Sequence, residues 1–472
     1  MMKCCLALIL FLCAGYERTL AQLEHVPPIL AEIRDSQNLN GILLLNTSDY
    51  HHQYGAPNHY PSTLQIIDPL NPWPPIFFIN AKPGGKGALG NGYYTNFFFH
   101  ENSRLLSFYG SISTSNSPYG TFVISDTNFI ILDTVAKNTR NADSHDFQIN
   151  SKGERLYMTV VDSLLNLSAF SNNPVDTSVL VTSQMIQVID KAGKVVFHWN
   201  PLEHLSISES YKKYKDLTDN NPFTRGWDWQ HGNSAGFTDD GNIIYSFRFL
   251  GVGKINRQTG KIMWKFGGKS PTIPVPAGGE YYLQHDFQEI APNVYSLFSN
   301  GNKKSNSHKN SQPCRALVYY IDENRLSAKT LRIYEPDTTV FSISLGNYQT
   351  DENSELCVLN YGKYTNLQER QRSFEIVDTS GVVHATYTSP LLNFSYRAQY
   401  VRSWKPTRPV IFNESGTLKV TGFPYRVSWY LLDGLKLTHV SDELRYQPKS
   451  NGTYIATMRA GFGWLVSKPY VF

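Results

Sequence analysis

Cysteine is scarce in this 472-residue chain: of five, Cys4, Cys5 and Cys13 crowd the N-terminus, leaving Cys314 and Cys357 for the body of the protein. A disulfide-stapled scaffold is thereby excluded, although one bond between the remaining pair is open. Charge is scarce too. Asp, Glu, Lys and Arg make up 17% of residues and the net charge is +4, with no basic stripe interleaved with stacking aromatics, so nucleic acid is not an expected partner. Beyond the N-terminus no apolar run reaches the roughly 18 residues of a membrane-spanning helix, and no membrane insertion is expected. There is no EF-hand loop and no His-Glu-x-x-His string. No required cofactor is expected, and a structural calcium ion is the one ion that the many Asp and Asn residues leave open. Long helical periodicity is missing as well.

What the chain has in quantity is aromatic residues, 13% of the total, in short runs with Val and Ile that alternate with Asp, Asn and Gly turns. That pattern predicts an all-β fold. At the N-terminus, Lys3 is followed by the apolar run Cys4 to Ala14 and a small-residue site before Gln22, so residues 1–21 read as a secretory signal peptide. The mature protein is expected to be secreted or extracellular, or held in the secretory lumen. Acceptor triplets at Asn46, Asn166, Asn393, Asn413 and Asn451 fit an exported glycoprotein.

One unit recurs. Gln187 to Trp199, Lys254 to Trp264, Tyr319 to Tyr334 and Phe374 to Tyr387 each run from an apolar strand through a polar turn to a second apolar strand, with starts roughly 55 to 67 residues apart. Four-stranded blades with loops fit this spacing, and radial closure protects strand edges, so a β-propeller is expected ahead of a pair of β-sandwiches. The expected division is a signal peptide (1–21), an N-terminal β region (22–104) that could join the propeller, a propeller core (105–400) and a small C-terminal β-sandwich-like domain (401–472). The polar stretch 303–311 reads as a loop beside the candidate site.

Candidate chemistry centres on four polar residues. Between Trp227 and Arg248 the chain places His231, Asn233 and Arg248 on a turn-strand unit, and His285 follows in Gln284-His285-Asp286-Phe287. His231 and Asn233, two apart on an extended segment, share a face. Imidazoles, an amide and a guanidinium can surround the oxygens of a tetrahedral anion, and one imidazole can attack its central atom. His145 adds to the set, because its string His-Asp-Phe-Gln returns at His285, and equivalent positions on separate blades converge in a radial fold. Taken singly, such residues more often brace turns or pair with carboxylates. Trp227, Trp229, Phe247, Tyr281 and Tyr282 could line an aryl path, but over half are expected to fill blade cores.

Across about His145 to Asn360 these motifs, with Phe247-Arg248 and Lys254 to Gly268, resemble the arylsulfate sulfotransferase family. The resemblance implies a six-bladed propeller that moves a sulfuryl group between phenols without a nucleotide sulfate donor, so small aryl sulfates and phenols are the implied substrates. By the same resemblance His285 matches the histidine transiently sulfated on nitrogen. His231, Asn233 and Arg248 match the groups that hold the sulfuryl oxygens, and His145 the additional histidine of an earlier blade. The family's polar group in a later blade has no unambiguous counterpart within 338–346, where Ser342 or Ser344 could stand in, and its Ser-Arg pair is Cys314-Arg315 here. Aryl sulfate hydrolysis and a non-catalytic extracellular ligand-binding propeller are the alternative functions. The sequence points to no particular protein partner.

Overall fold

The computed structural model describes residues 23–48, 62–80, 94–110, 120–135, 142–171, 176–212, 214, 226–301, 312–336, 340–351, 353, 355–364, 372–389, 394–422 and 424–472. The expected signal peptide, the polar loop 303–311 and the acceptor Asn393 lie outside them.

Each blade is built on an antiparallel meander of four strands taken in sequence order. The first comprises Thr95–His100, Leu105–Gly110, Thr121–Ser125 and Ile131–Val135; the second Ala142–Ile149, Arg155–Leu165, Val179–Ile189 and Val195–Trp199. The third comprises Gly232–Phe237, Ile243–Phe247, Gly251–Ile255 and Ile262–Phe266, and the fourth His285–Ala291, Val294–Ser299, Arg315–Asp322 and Ser327–Tyr334. In the fifth, Asn347–Thr350, Leu356–Asn360, Arg372–Asp378 and Val383–Thr388 accept Leu30–Ile33 as an added outer strand. The unit repeated in the sequence is the outer hairpin of the second to fifth blades, which is why its spacing tracks blade length.

The expectation of six blades and a separate C-terminal sandwich is corrected. Five sheets are self-contained blades. Phe394–Val401, Ile42–Ser48, Thr63–Ile67 and Phe77–Asn80 form no blade of their own but continue into Gly463–Val466, Thr453–Ala460, Val427–Asp433 and Lys436–Ser441 as part of one eleven-stranded sheet. The physical reason is that the edge of Phe77–Asn80 stays open to pairing: Trp464 pairs with Phe78 and Leu465 with Phe77, so the C-terminal strands extend the sheet instead of closing on themselves.

Aromatic cores fill the spaces between neighbouring sheets. Phe122 and Phe147 stack at 4.6 Å between the first and second blades. Trp199, Trp229 and Phe247 lie between the second and third, and Trp264, Phe287 and Tyr319 between the third and fourth. Phe298 and Tyr348 lie between the fourth and fifth, Phe374 and Tyr387 between the fifth and the eleven-stranded sheet, and Phe77 and Phe99 between that sheet and the first blade. A buried ring of this kind contributes roughly 1.5–3 kcal/mol, so the sheets are held chiefly through their faces. Cys314 and Cys357 share the core between fourth and fifth blades as free thiols, with Cys357 Sγ 2.9 Å from the Tyr348 hydroxyl. The open disulfide is therefore not formed.

Candidate active site

Three histidines from three consecutive blades meet. The ring centroids of His145 and His231 are 5.1 Å apart and those of His145 and His285 6.1 Å. The Tyr396 ring of the eleven-stranded sheet stands edge-on to His285 at 5.6 Å, and its hydroxyl donates to the His145 carbonyl at 2.9 Å.

Irregular pairing aims these side chains. The register slips beside Asn96 in the first blade, across Ala142 to Phe147 in the second, at Asn233 in the third and at Asp286 in the fourth. Opposite Asn46 it slips again, so that Tyr396 and Arg397 together face one residue. A bulge turns a side chain out of the regular pleat. His231, Leu283, Asp286 and Leu345 adopt left-handed φ angles of 51°, 47°, 54° and 67°. Non-glycine residues hold that conformation at a cost of about 1–2 kcal/mol each, and here they gather around one site.

His285 is buried, and its Nδ1 lies 2.8 Å from the carbonyl oxygen of Gly346. A carbonyl only accepts, so Nδ1 carries the ring proton and Nε2 keeps its lone pair. That Nε2 has no hydrogen-bond partner among the described residues. Burial, and then the charges of His145, Arg397 and Arg248, hold the imidazole well below its ordinary pKa, so the ring is neutral.

The other two histidines are braced by carboxylates. Asp143 Oδ1 lies 2.5 Å from His145 Nδ1 and accepts the His145 backbone N–H at 2.9 Å. Asp228 does the same for His231, at 2.5 Å to Nδ1 and 3.1 Å to the backbone nitrogen. Burial opposes the charged form of Asp228, yet the His231 charge and hydrogen bond hold its carboxyl below the usual range. Each carboxylate fixes the ring proton on Nδ1 and turns Nε2 away from itself. The His231 ring is 6.0 Å from that of Phe249, tilted against it.

Asn233 and Arg248 join the cluster through the backbone. Asn233 Nδ2 donates to the carbonyl of Gln284 at 2.7 Å, fixing the peptide that precedes His285, and its Oδ1 is buried without a partner among the described residues. Arg248 donates to Asn300 Oδ1 at 3.2 Å and to the Ile343 carbonyl at 2.6 Å. Burial brings its pKa down to about 10, with Asp228 opposing, so it stays charged at neutral pH. The later-blade segment thus acts through its main chain, offering the carbonyls of Ile343, Leu345 and Gly346 to Arg248, Asn300 and His285. Ser342 contacts Asn300 at 3.1 Å.

Several residues of this site were not anticipated from the sequence: Tyr396, Arg397, Gly346, Asp143, Asp228 and Phe249. Asp228 and Asp143 stand three and two positions before their histidines, a turn-closing spacing that could have signalled them. Arg315 pairs with Glu335 and donates to the Glu280 carbonyl, bracing the fourth blade. Trp227, Trp229 and Phe247 are core residues, and Tyr281 packs against the core and donates to the Phe266 carbonyl. Among the described residues no group of three or more His, Cys, Asp or Glu side chains is arranged to hold a metal ion.

A family model described as Arylsulfotransferase (ASST) matches residues 100–377, a span that includes His145, His231, Asn233, Arg248 and His285. No curated protein matches the chain. Among solved structures it is similar to the Dos1 propeller (11% identity over 94% of this chain and 96% of that one, TM-score 0.32). It is also similar to the WD40 propeller domain of Doa1 (10% identity, 76% and 95%, TM-score 0.31) and to BamB from Moraxella catarrhalis (10% identity, 82% and 80%, TM-score 0.27). Likenesses this distant carry no argument about the site.

Proposed function

The chain belongs to the arylsulfotransferase family, and from that premise we propose that it transfers a sulfuryl group from an aryl sulfate to a phenol through His285. The observation that supports this reading is the lone pair of His285: Nδ1 is committed to the Gly346 carbonyl and Nε2 is buried, neutral and unpartnered among the described residues. A neutral imidazole held this way is a competent nucleophile.

In the proposed first step Nε2 attacks sulfur, the N–S bond forms and the S–O bond to the aryl group breaks. The departing phenolate takes the Nε2 proton of one imidazolium in the His145 and His231 pair, a cation that Asp143 and Asp228 stabilise through Nδ1. Arg248 supplies positive potential to the sulfuryl oxygens, and Asn233 holds the Gln284 peptide while keeping one amide hydrogen for them. In the second step an acceptor phenol returns its proton to the histidine pair and attacks sulfur, the N–S bond breaks and His285 recovers its lone pair. No nucleotide sulfate donor enters the scheme. Secretion is part of the proposal and is supported by the composition of residues 1–21; no described helix is long and apolar enough to cross a membrane.

Phenol release from an aryl sulfate, measured with and without a second phenol and beside His285→Ala, tests the reading. Acceptor-dependent sulfated product that vanishes in the variant is expected. Release without acceptor would shift the activity to hydrolysis, and silence across a broad donor panel would favour a binding propeller.

A further inference from the structure

The string His-Asp-Phe-Gln occurs at 145–148 and again at 285–288, and the structure folds the two copies against each other. Gln148 Nε2 donates to Gln288 Oε1 at 2.9 Å. Phe147 enters the core between the first and second blades and Phe287 the core between the third and fourth. The two aspartates converge on one cation: Arg397 Nη1 donates to Asp146 Oδ1 at 2.8 Å, and Nη2 lies 3.0 Å from Asp286 Oδ1, off the hydrogen-bond direction. All three are nearly inaccessible to solvent. Nη1 also donates to Asn96 Oδ1 at 3.1 Å, so the guanidinium touches the first, second and fourth blades from the eleven-stranded sheet.

We propose that Arg397 is a positioning residue that holds His145 and His285 in register by gripping Asp146 and Asp286, the residue that follows each histidine. The inference rests on the role given to His285 above. It concerns a residue outside the 100–377 span that matches the family model.

Several features support it. Asp286 is held at a left-handed φ of 54° next to His285, and an ion pair at its side chain opposes relaxation of that backbone and rotation of the preceding imidazole. Arg397 and its neighbour Tyr396 share one bulge, clamped by Asn46 Oδ1, which accepts from both backbone nitrogens at 3.0 and 3.3 Å. Tyr396 contacts both histidines, so the dipeptide grips the pair through their rings and through the residues after them. Burial pushes the Asp286 carboxyl up to about 6, with Arg397 opposing and Asp146 adding to the rise. The planar guanidinium presents two separate nitrogens, Nη1 to Asp146 and Nη2 to Asp286, in a fixed geometry that the single nitrogen of a lysine does not reproduce.

The test uses the full chain with 15N-labelled histidine, as wild type, Arg397→Lys and Asp286→Asn. Wild-type His285 is expected to show the ring-nitrogen pattern of a single Nδ1–H tautomer. In Arg397→Lys that pattern should average between tautomers, and kcat for sulfuryl transfer should fall at least about tenfold with KM for the donor changed much less. Asp286→Asn is nearly isosteric and serves should the lysine variant fail to fold; it should perturb His285 in the same way. A folded variant of either kind with wild-type His285 signals and wild-type kcat overturns the proposal. If wild type transfers no sulfuryl group, the reaction assigned to the site fails, while the ring-nitrogen signals still decide the role of Arg397.

Discussion

His285 donates through Nδ1 to the carbonyl oxygen of Gly346 at 2.8 Å, a bond that spans 61 residues of chain and joins the fourth blade to the loop entering the fifth. Gly346 has a φ of 88°, and a Cβ there would lie 2.6 Å from Phe298 Cε1 and 2.8 Å from the Asn360 carbonyl oxygen. Gly346→Ala should therefore displace the carbonyl that selects the His285 tautomer. We expect a loss of about 1–3 kcal/mol in stability and of about 100-fold in kcat, read by urea unfolding and by aryl sulfate turnover. An alanine variant with wild-type kcat would detach the tautomer from the chemistry.

Acid should destabilise the fold through its buried histidines. His100 is fully enclosed, with Nε2 2.8 Å from Ser107 Oγ, and burial lowers its pKa to about 3. His285 is shifted in the same direction. Below pH 6.5 the unfolded chain binds protons that the folded chain refuses, so each such histidine removes roughly 1.4 kcal/mol per pH unit as pH falls. Asp286, raised to about 6, works the other way below that pH, because the folded state then binds its proton first. Urea midpoints between pH 7.5 and 5 should fall, and His100→Gln should flatten the slope. An identical slope in that variant would contradict the assignment.

The acceptor triplet at Asn46 does not behave as a surface site. Asn46 is buried, donates to the Tyr94 carbonyl and accepts from the backbone of Tyr396 and Arg397. Asn166, Asn413 and Asn451 are exposed. Glycopeptide mapping of protein secreted from a glycosylating host should find sugar among these three and none on Asn46. A glycan on Asn46 in folded protein would contradict the packing around Tyr396.

The legible part of this chain was what repeats locally. Outer hairpins such as Lys254 to Trp264 announce themselves by β-branched and aromatic residues around a Gly turn, and the doubled His-Asp-Phe-Gln string marked positions that meet in space. The sheet count was not legible, because whether the edge of Phe77–Asn80 closes or accepts Gly463–Val466 depends on pairing between segments nearly 400 residues apart. Tyr396 and Arg397 were invisible for a similar reason. An Asn opposite two residues at a bulge leaves no periodic trace, and nothing beside Arg397 in sequence hints at its two aspartates. The carbonyls of Ile343 and Gly346 could not be read at all, since any residue supplies a carbonyl.

Transfer through His285 is tested most directly by quenching the protein in acid-sparing conditions during turnover of an aryl sulfate and mapping the adduct by tandem mass spectrometry. The account predicts a sulfuryl group on His285 that accumulates without an acceptor, disappears when a phenol is added and is missing from His285→Ala. Turnover that proceeds at full rate with no adduct on His285, or persists in His285→Ala, would contradict it.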